Sequence, residues 1–208
     1  LKDEQLDEIA KLPKGVAVVY QNDWLEPVLC KIHKYEGQEI PYQYKAGDIE
    51  KAVKRDQWFK QELLKLLVKG RVNEKIDVDI DKLQEQVFSV NLSTKLKRSI
   101  RDLLKEYQLR GELDLWQDSN FAGLSVLVDK LLQCKDEVQQ AAKVAVDYAD
   151  MDNRLRIMIR QQSPDASDEV CLALSQCVMK CYGLEGAENL NIYAAWRDTV
   201  MKRGGQQC

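Results

Sequence analysis

The chain of 208 residues has a net charge of −3, with 45% hydrophobic and 31% charged residues, which is the balance of a soluble globular chain that can build a real core. That charge gives no global case for nucleic acid and leaves only a local basic face to make one. No apolar run approaches the roughly 18–20 residues of a membrane span, and the length suits one moderate domain or two small ones.

The first residues, LKDEQLDE, hold neither the basic n-region nor the apolar h-region of a signal peptide, nor an initiator Met. We therefore expect a piece of a longer cytoplasmic protein. Leu1 to Leu12 puts Leu6, Ile9 and Ala10 on one side and reads as a short helix ended by Pro13 and Gly15. GVAVVYQ (15–21) and EPVLCKIH (26–33) are the only stretches of clear strand character. With Asn22, Asp23, Trp24 and Leu25 between them, they predict a β-hairpin. Val16, Val18 and Tyr20 alternate with Ala17, Val19 and Gln21, so both faces are largely apolar, as in a strand buried on two sides. A lone hairpin is marginal in water. Either the later helices cover it or it is the edge of a sheet whose other strands lie elsewhere, and the second reading is preferred.

Tyr35 to Gly47 has two glycines, a proline and no periodicity, and reads as a crossover loop or linker. Everything after about Asp48 reads as helix. Ile49, Val53, Phe59, Leu63, Leu66 and Leu67 recur at three- and four-residue steps, predicting a helix over Asp48 to Lys69 that stops at Gly70. Asp79 or Asp81 can cap a short helix through Val87. From Asn91 to Arg110 the spacing predicts a long helix capped by Ser93 or Asn91, with Leu96, Ile100, Leu103, Leu104 and Tyr107 buried and Gly111 at its end. Glu112 to Trp116 alternates Leu113 and Leu115 with acids and suggests a short extended piece. Phe121 to Gln133 reads as a central core helix. Asp136 to Gln162 reads as one helix with Val138, Ala142, Ala145, Tyr148, Leu155 and Ile159 in its stripe. Ser163-Pro164-Asp165 breaks it and caps the next, which runs to Cys181 or Tyr182 and stops at Gly183. Asn189 to Lys202 is the last helix. No period of 20–50 residues is present, so a solenoid is not expected.

The expected fold is mainly α: an N-terminal β-hairpin followed by a multi-helix bundle, with a winged-helix-like unit as an open alternative inside it. Three domains are expected: residues 1–47, holding the terminal helix and hairpin; 48–118, the winged-helix-like unit; and 119–208, a helical bundle.

Catalytic signatures are sparse. No GxxxxGK[ST], GxSxG, HExxH or CxxC occurs, and no catalytic residue, cofactor or metal site is assigned. The single histidine, His33, stands in an apolar run and reads as a strand residue with its polar tip satisfied rather than as a general base. Cys171, Cys177 and Cys181 lie close enough in sequence to suggest a metal cluster. A structural zinc needs four ligands, commonly paired as CxxC or joined by histidines, so the cysteines, with Cys30, Cys134 and Cys208, read as reduced core residues. Among the tryptophans, Trp58, Trp116 and Trp196 read as core anchors, and Trp24 as an exposed or interfacial residue.

The basic helix is the stronger functional candidate. Lys95, Lys97, Arg98, Arg101 and Lys105 lie on or beside the faces away from its leucines. The order helix, short helix, helix and then GELDLW resembles the three helices and wing of a winged helix, whose third helix enters the major groove. Such lysines and arginines would meet phosphates. The plainer reading is a solvated charged face, with Asp102 and Glu106 pairing locally with Arg98 and Arg101.

LDEIAKLPKGVAVVYQNDWLEPVLCKI, in Ile9, Leu12, Pro13, Gly15, Ala17 to Val19, Trp24, Pro27 and Val28, resembles the closing segment of the motor domain in HerA/FtsK-type P-loop ATPases, a group that includes DNA translocases and conjugation-type ATPases. The likeness covers about 30 residues of the 208. It implies that this chain is a C-terminal accessory region, silent alone, that contacts a subunit, a partner protein or DNA. It also implies that the parent is a ring-forming homo-oligomer using ATP and magnesium at a site outside this chain. The alternatives are a winged-helix DNA-binding regulator and a stand-alone helical interaction protein.

Overall fold

The computed structural model describes residues 11–19, 28–32 and 46–204. The terminal helix expected over 1–12, the loop with Trp24, His33, the crossover from Tyr35 and the end of the tail fall wholly or mainly outside those residues. Contacts divide the chain into two units, Leu1–Tyr44 and Lys45–Cys208. A two-stranded antiparallel hairpin precedes eight helices among the described residues, as the mainly helical expectation had it.

In the first unit, β1 (Val16–Val19) pairs with β2 (Val28–Lys31) in the register Val16↔Lys31, Ala17↔Cys30, Val18↔Leu29 and Val19↔Val28. Entry to β1 is set by Pro13-Lys14-Gly15: the Val16 amide bonds to the Pro13 carbonyl at 3.0 Å. Gly15 adopts φ 88°, the positive angle a type II turn requires of its third residue. The Ile32 amide then closes on the Gly15 carbonyl at 2.7 Å. β2 is largely exposed, with Leu29 63% accessible. No third strand joins the sheet among the described residues.

The second unit consists of α1 (Ala46–Val68), α2 (Ile80–Gln86), α3 (Thr94–Arg110), α4 (Asp118–Leu132), α5 (Lys135–Val144), α6 (Tyr148–Gln162), α7 (Asp168–Gly183) and α8 (Ala187–Gly204). The hub is α7, and α4, the core helix expected over 121–133, packs against it with Leu124, Val128, Leu131 and Leu132 buried. Val170, Cys171, Ala173, Leu174, Cys177, Val178 and Met179 are all buried, and a helix apolar around its circumference belongs inside a bundle. It packs against α4, α8, α6, α5 and α1, while α2 touches α1 and α3. At its end Gly183 lets α8 approach closely, for a Cβ there would lie 3.2 Å from that of Tyr193. One core runs from Phe59 through Leu104 and Leu131 to Trp196. Each fully buried Leu, Ile or Phe in it contributes roughly 1.5–3 kcal/mol.

Three expectations change. The single helix expected over 136–162 is two, α5 and α6, because Asp147 acts as an N-cap. Its carboxylate accepts the Ala149 and Asp150 amides, both at 2.8 Å, and Asp150 reaches back to the Val146 amide at 3.1 Å. These bonds satisfy donors a new helix leaves open and outweigh the apolar periodicity that runs through the break. The second change is that residues 112–116 form no strand. Leu113 and Leu115 pack on the core, and Trp116 donates its indole N–H to the Leu67 carbonyl, which turns the segment inward. In α1, Phe59, Leu63, Leu66 and Leu67 are buried as expected, but Ile49 and Val53 remain exposed. Gly70 lies beyond the helix without a left-handed φ. Among the described residues no helix is long and apolar enough to cross a membrane.

Candidate nucleic-acid interface

The candidate surface is built on α3, whose ends are fixed by its own sequence. Ser93 accepts the Leu96 amide at 3.4 Å, and Gly111 closes the helix at φ 76° with its amide on the Tyr107 carbonyl. Both are the residue types those positions select. Ile100 and Leu104 are fully buried, and Leu96, Leu103 and Tyr107 pack on the core. That seating fixes the rotation of the helix and turns the opposite face outward.

The outward face carries charge of one dominant sign. Six basic residues of α3 stand against Asp102 and Glu106, in a chain whose net charge is −3. Lys97, Arg101 and Lys105 form a row at four-residue steps, spanning about 12 Å along the axis. Lys95 and Lys105 are exposed. Arg98 is exposed too and is engaged in an interaction of its own. The half-buried Lys97 donates to the Phe88 carbonyl at 2.9 Å. Arg101 bonds Asp102 through two nitrogens at 3.2 and 3.3 Å, as local pairing predicted, whereas Glu106 pairs with Arg110 at 3.0 Å. Exposed pairs of this kind are weak and open readily to a competing anion.

Phe88 was not singled out from the sequence. It lies in the turn between α2 and α3, 55% accessible, with the Arg101 guanidinium 6.0 Å from its ring centroid. Its neighbours Val87 and Val90 are buried and anchor the turn. The only sequence signal was a large aromatic residue at the end of a short helix, which by itself is uninformative.

Elsewhere the chemistry is quiet. Cys171 and Cys177 are fully buried in α7, and burial pushes both thiols up. Burial, then the charge of Asp129, raises Cys134 to about 12, and burial likewise raises Cys181 to about 11. Such thiols are poor nucleophiles at neutral pH. Among the described residues no group of three or more His, Cys, Asp or Glu could hold a metal. An open groove of about 610 Å³ runs between α3, the 113–115 segment and α4, its walls mixing leucines such as Leu96, Leu103 and Leu127 with Glu106, Asp114 and Lys130. Trp24 and His33 fall outside the described residues.

No family model matches the chain, and neither a curated protein nor a solved structure matches it at a significant level.

Proposed function

We propose that this chain is a non-catalytic helical module that holds DNA by its phosphates through the outward face of α3. The observation that carries the reading is the concentration of Lys95, Lys97, Arg98, Arg101 and Lys105 on a rigidly seated helix of an otherwise acidic chain. A polyanion releases counterions when it meets such a face, and the local field, not the net charge, decides the encounter. Binding of labelled DNA, followed by fluorescence anisotropy, tests it. Lys95→Glu with Lys105→Glu should weaken binding at least tenfold while leaving the melting temperature unchanged, since both side chains are exposed. Unchanged affinity would sink the reading.

A second reading places the module at the C-terminus of a HerA/FtsK-type ATPase, working in the cytoplasm as part of a homo-oligomeric ring. It is favoured by the residues that carry the resemblance: Ala17 to Val19 lie in β1, Val28 opens β2, and Val19 and Val28 pair. On this reading ATP and magnesium bind a P-loop outside the present sequence, which holds no GxxxxGK[ST]. The reading frame upstream of Leu1 tests it. A Walker A motif a few hundred residues earlier is expected, and a frame without one contradicts it.

A further inference from the structure

We infer that the α3 face takes single-stranded DNA in preference to duplex, with an unpaired base stacked on Phe88. The inference rests on the reading that the α3 cations meet phosphates and names the form of DNA they meet. An aromatic ring more than half exposed, in a turn whose flanking valines are buried, is held outward by the fold. Lys97 fastens the same turn to α3 through the Phe88 carbonyl, and the Arg101 guanidinium lies over the ring, 6.0 Å from its centroid.

A fixed ring at one end of a row of cations is the combination that single strands use. Bases stack on the aromatic face and the backbone follows the charges. Arginine adjacent to the ring adds a second planar surface for the base. In a duplex the bases already stack on one another, and the ring gains nothing there.

The segment after α3 argues the same way. A winged helix braces duplex with a strand-built wing beside its recognition helix, but here Trp116 is bonded to the Leu67 carbonyl at 2.9 Å and residues 112–116 turn toward the core. Leu109, 88% accessible on the outward face of α3, adds apolar surface that an unpaired base can cover.

The test compares the full chain on a fluorescein-labelled oligothymidylate and on a hairpin duplex of equal length, at fixed salt. The single strand should bind about tenfold tighter, and Phe88→Ala should lose most of that difference while leaving duplex affinity unchanged. Phe88→Trp should restore single-strand binding, and its fluorescence should be quenched on titration with the oligonucleotide. Equal affinity for the two forms, or a Phe88→Ala chain that binds the single strand as the parent does, overturns the inference and leaves phosphate binding by α3 standing. Absence of binding to both forms overturns both.

Discussion

Trp116 donates its indole N–H to the Leu67 carbonyl at 2.9 Å, tying the segment after α3 to the last turn of α1. Carbonyls of a final helical turn have no partner within the helix, so the indole satisfies one of them. The ring also packs 5.3 Å from Phe121 and under Arg71 at 5.7 Å. Trp116→Phe keeps much of the packing and removes the donor. We expect a loss of about 1 kcal/mol, measured as a lower urea midpoint at unchanged slope. An unchanged midpoint would mean that the bond contributes nothing.

Two helix ends make opposite predictions. Gly111 ends α3 at φ 76° with open space around it, so Gly111→Ala meets no clash and should cost about 1 kcal/mol through the backbone alone. Gln133 ends α4 at φ 53°, the one positive φ outside glycine among the described residues. Gln133→Gly should stabilise by a few tenths of a kcal/mol up to about 1. Thermal melts of the two variants should therefore move in opposite directions.

The break between α5 and α6 depends on Asp147. Asp147→Ala leaves the Ala149 and Asp150 amides without their acceptor and should cost about 1 kcal/mol. Amide hydrogen exchange at those two positions should accelerate more than in the middle of α6. Equal acceleration along the whole helix would indicate that the cap is not the local cause.

Asp129, half-buried near the end of α4, has its carboxyl pKa raised by burial first and then by Glu185, against lowering by Lys135, Cys181 and Lys130. A carboxyl with a raised folded pKa binds more protons in the native state than in the unfolded one across the window above 3.8. Native stability therefore falls as pH rises through that window. Asp129→Asn should raise the melting temperature at neutral pH, and the gain should fade as the pH falls toward 3.8. A gain that persists unchanged in acid would place its origin elsewhere.

The helix that carries the candidate site was legible in detail because its signals are local. Ser93, the leucine stripe and Gly111 each act within a turn or two of their own position. The α5–α6 break was hidden because the stripe Val138, Ala142, Ala145, Tyr148 keeps helical spacing through it, and a cap of two short bonds decides against that pattern. The alternation of Leu113 and Leu115 imitates a strand, yet both leucines and Trp116 are drawn to the core by neighbours far along the chain. The hairpin pairing was readable from its β-branched runs, but not the exposure of Leu29, which depends on what lies over the sheet. Nothing in the local pattern distinguishes the exposed Phe88 from the buried Val87 and Val90, because burial there is set by the tertiary core.

The salt dependence of binding tests the central claim most directly. Affinity for a single-stranded oligonucleotide should fall with salt at a logarithmic slope of about −3 if Lys95, Lys97, Arg101 and Lys105 each meet a phosphate, at roughly −0.7 per contact. Lys95→Gln with Lys105→Gln should make that slope shallower by about 1.4. A slope near zero, or one that the double substitution leaves unchanged, would contradict phosphate binding by α3.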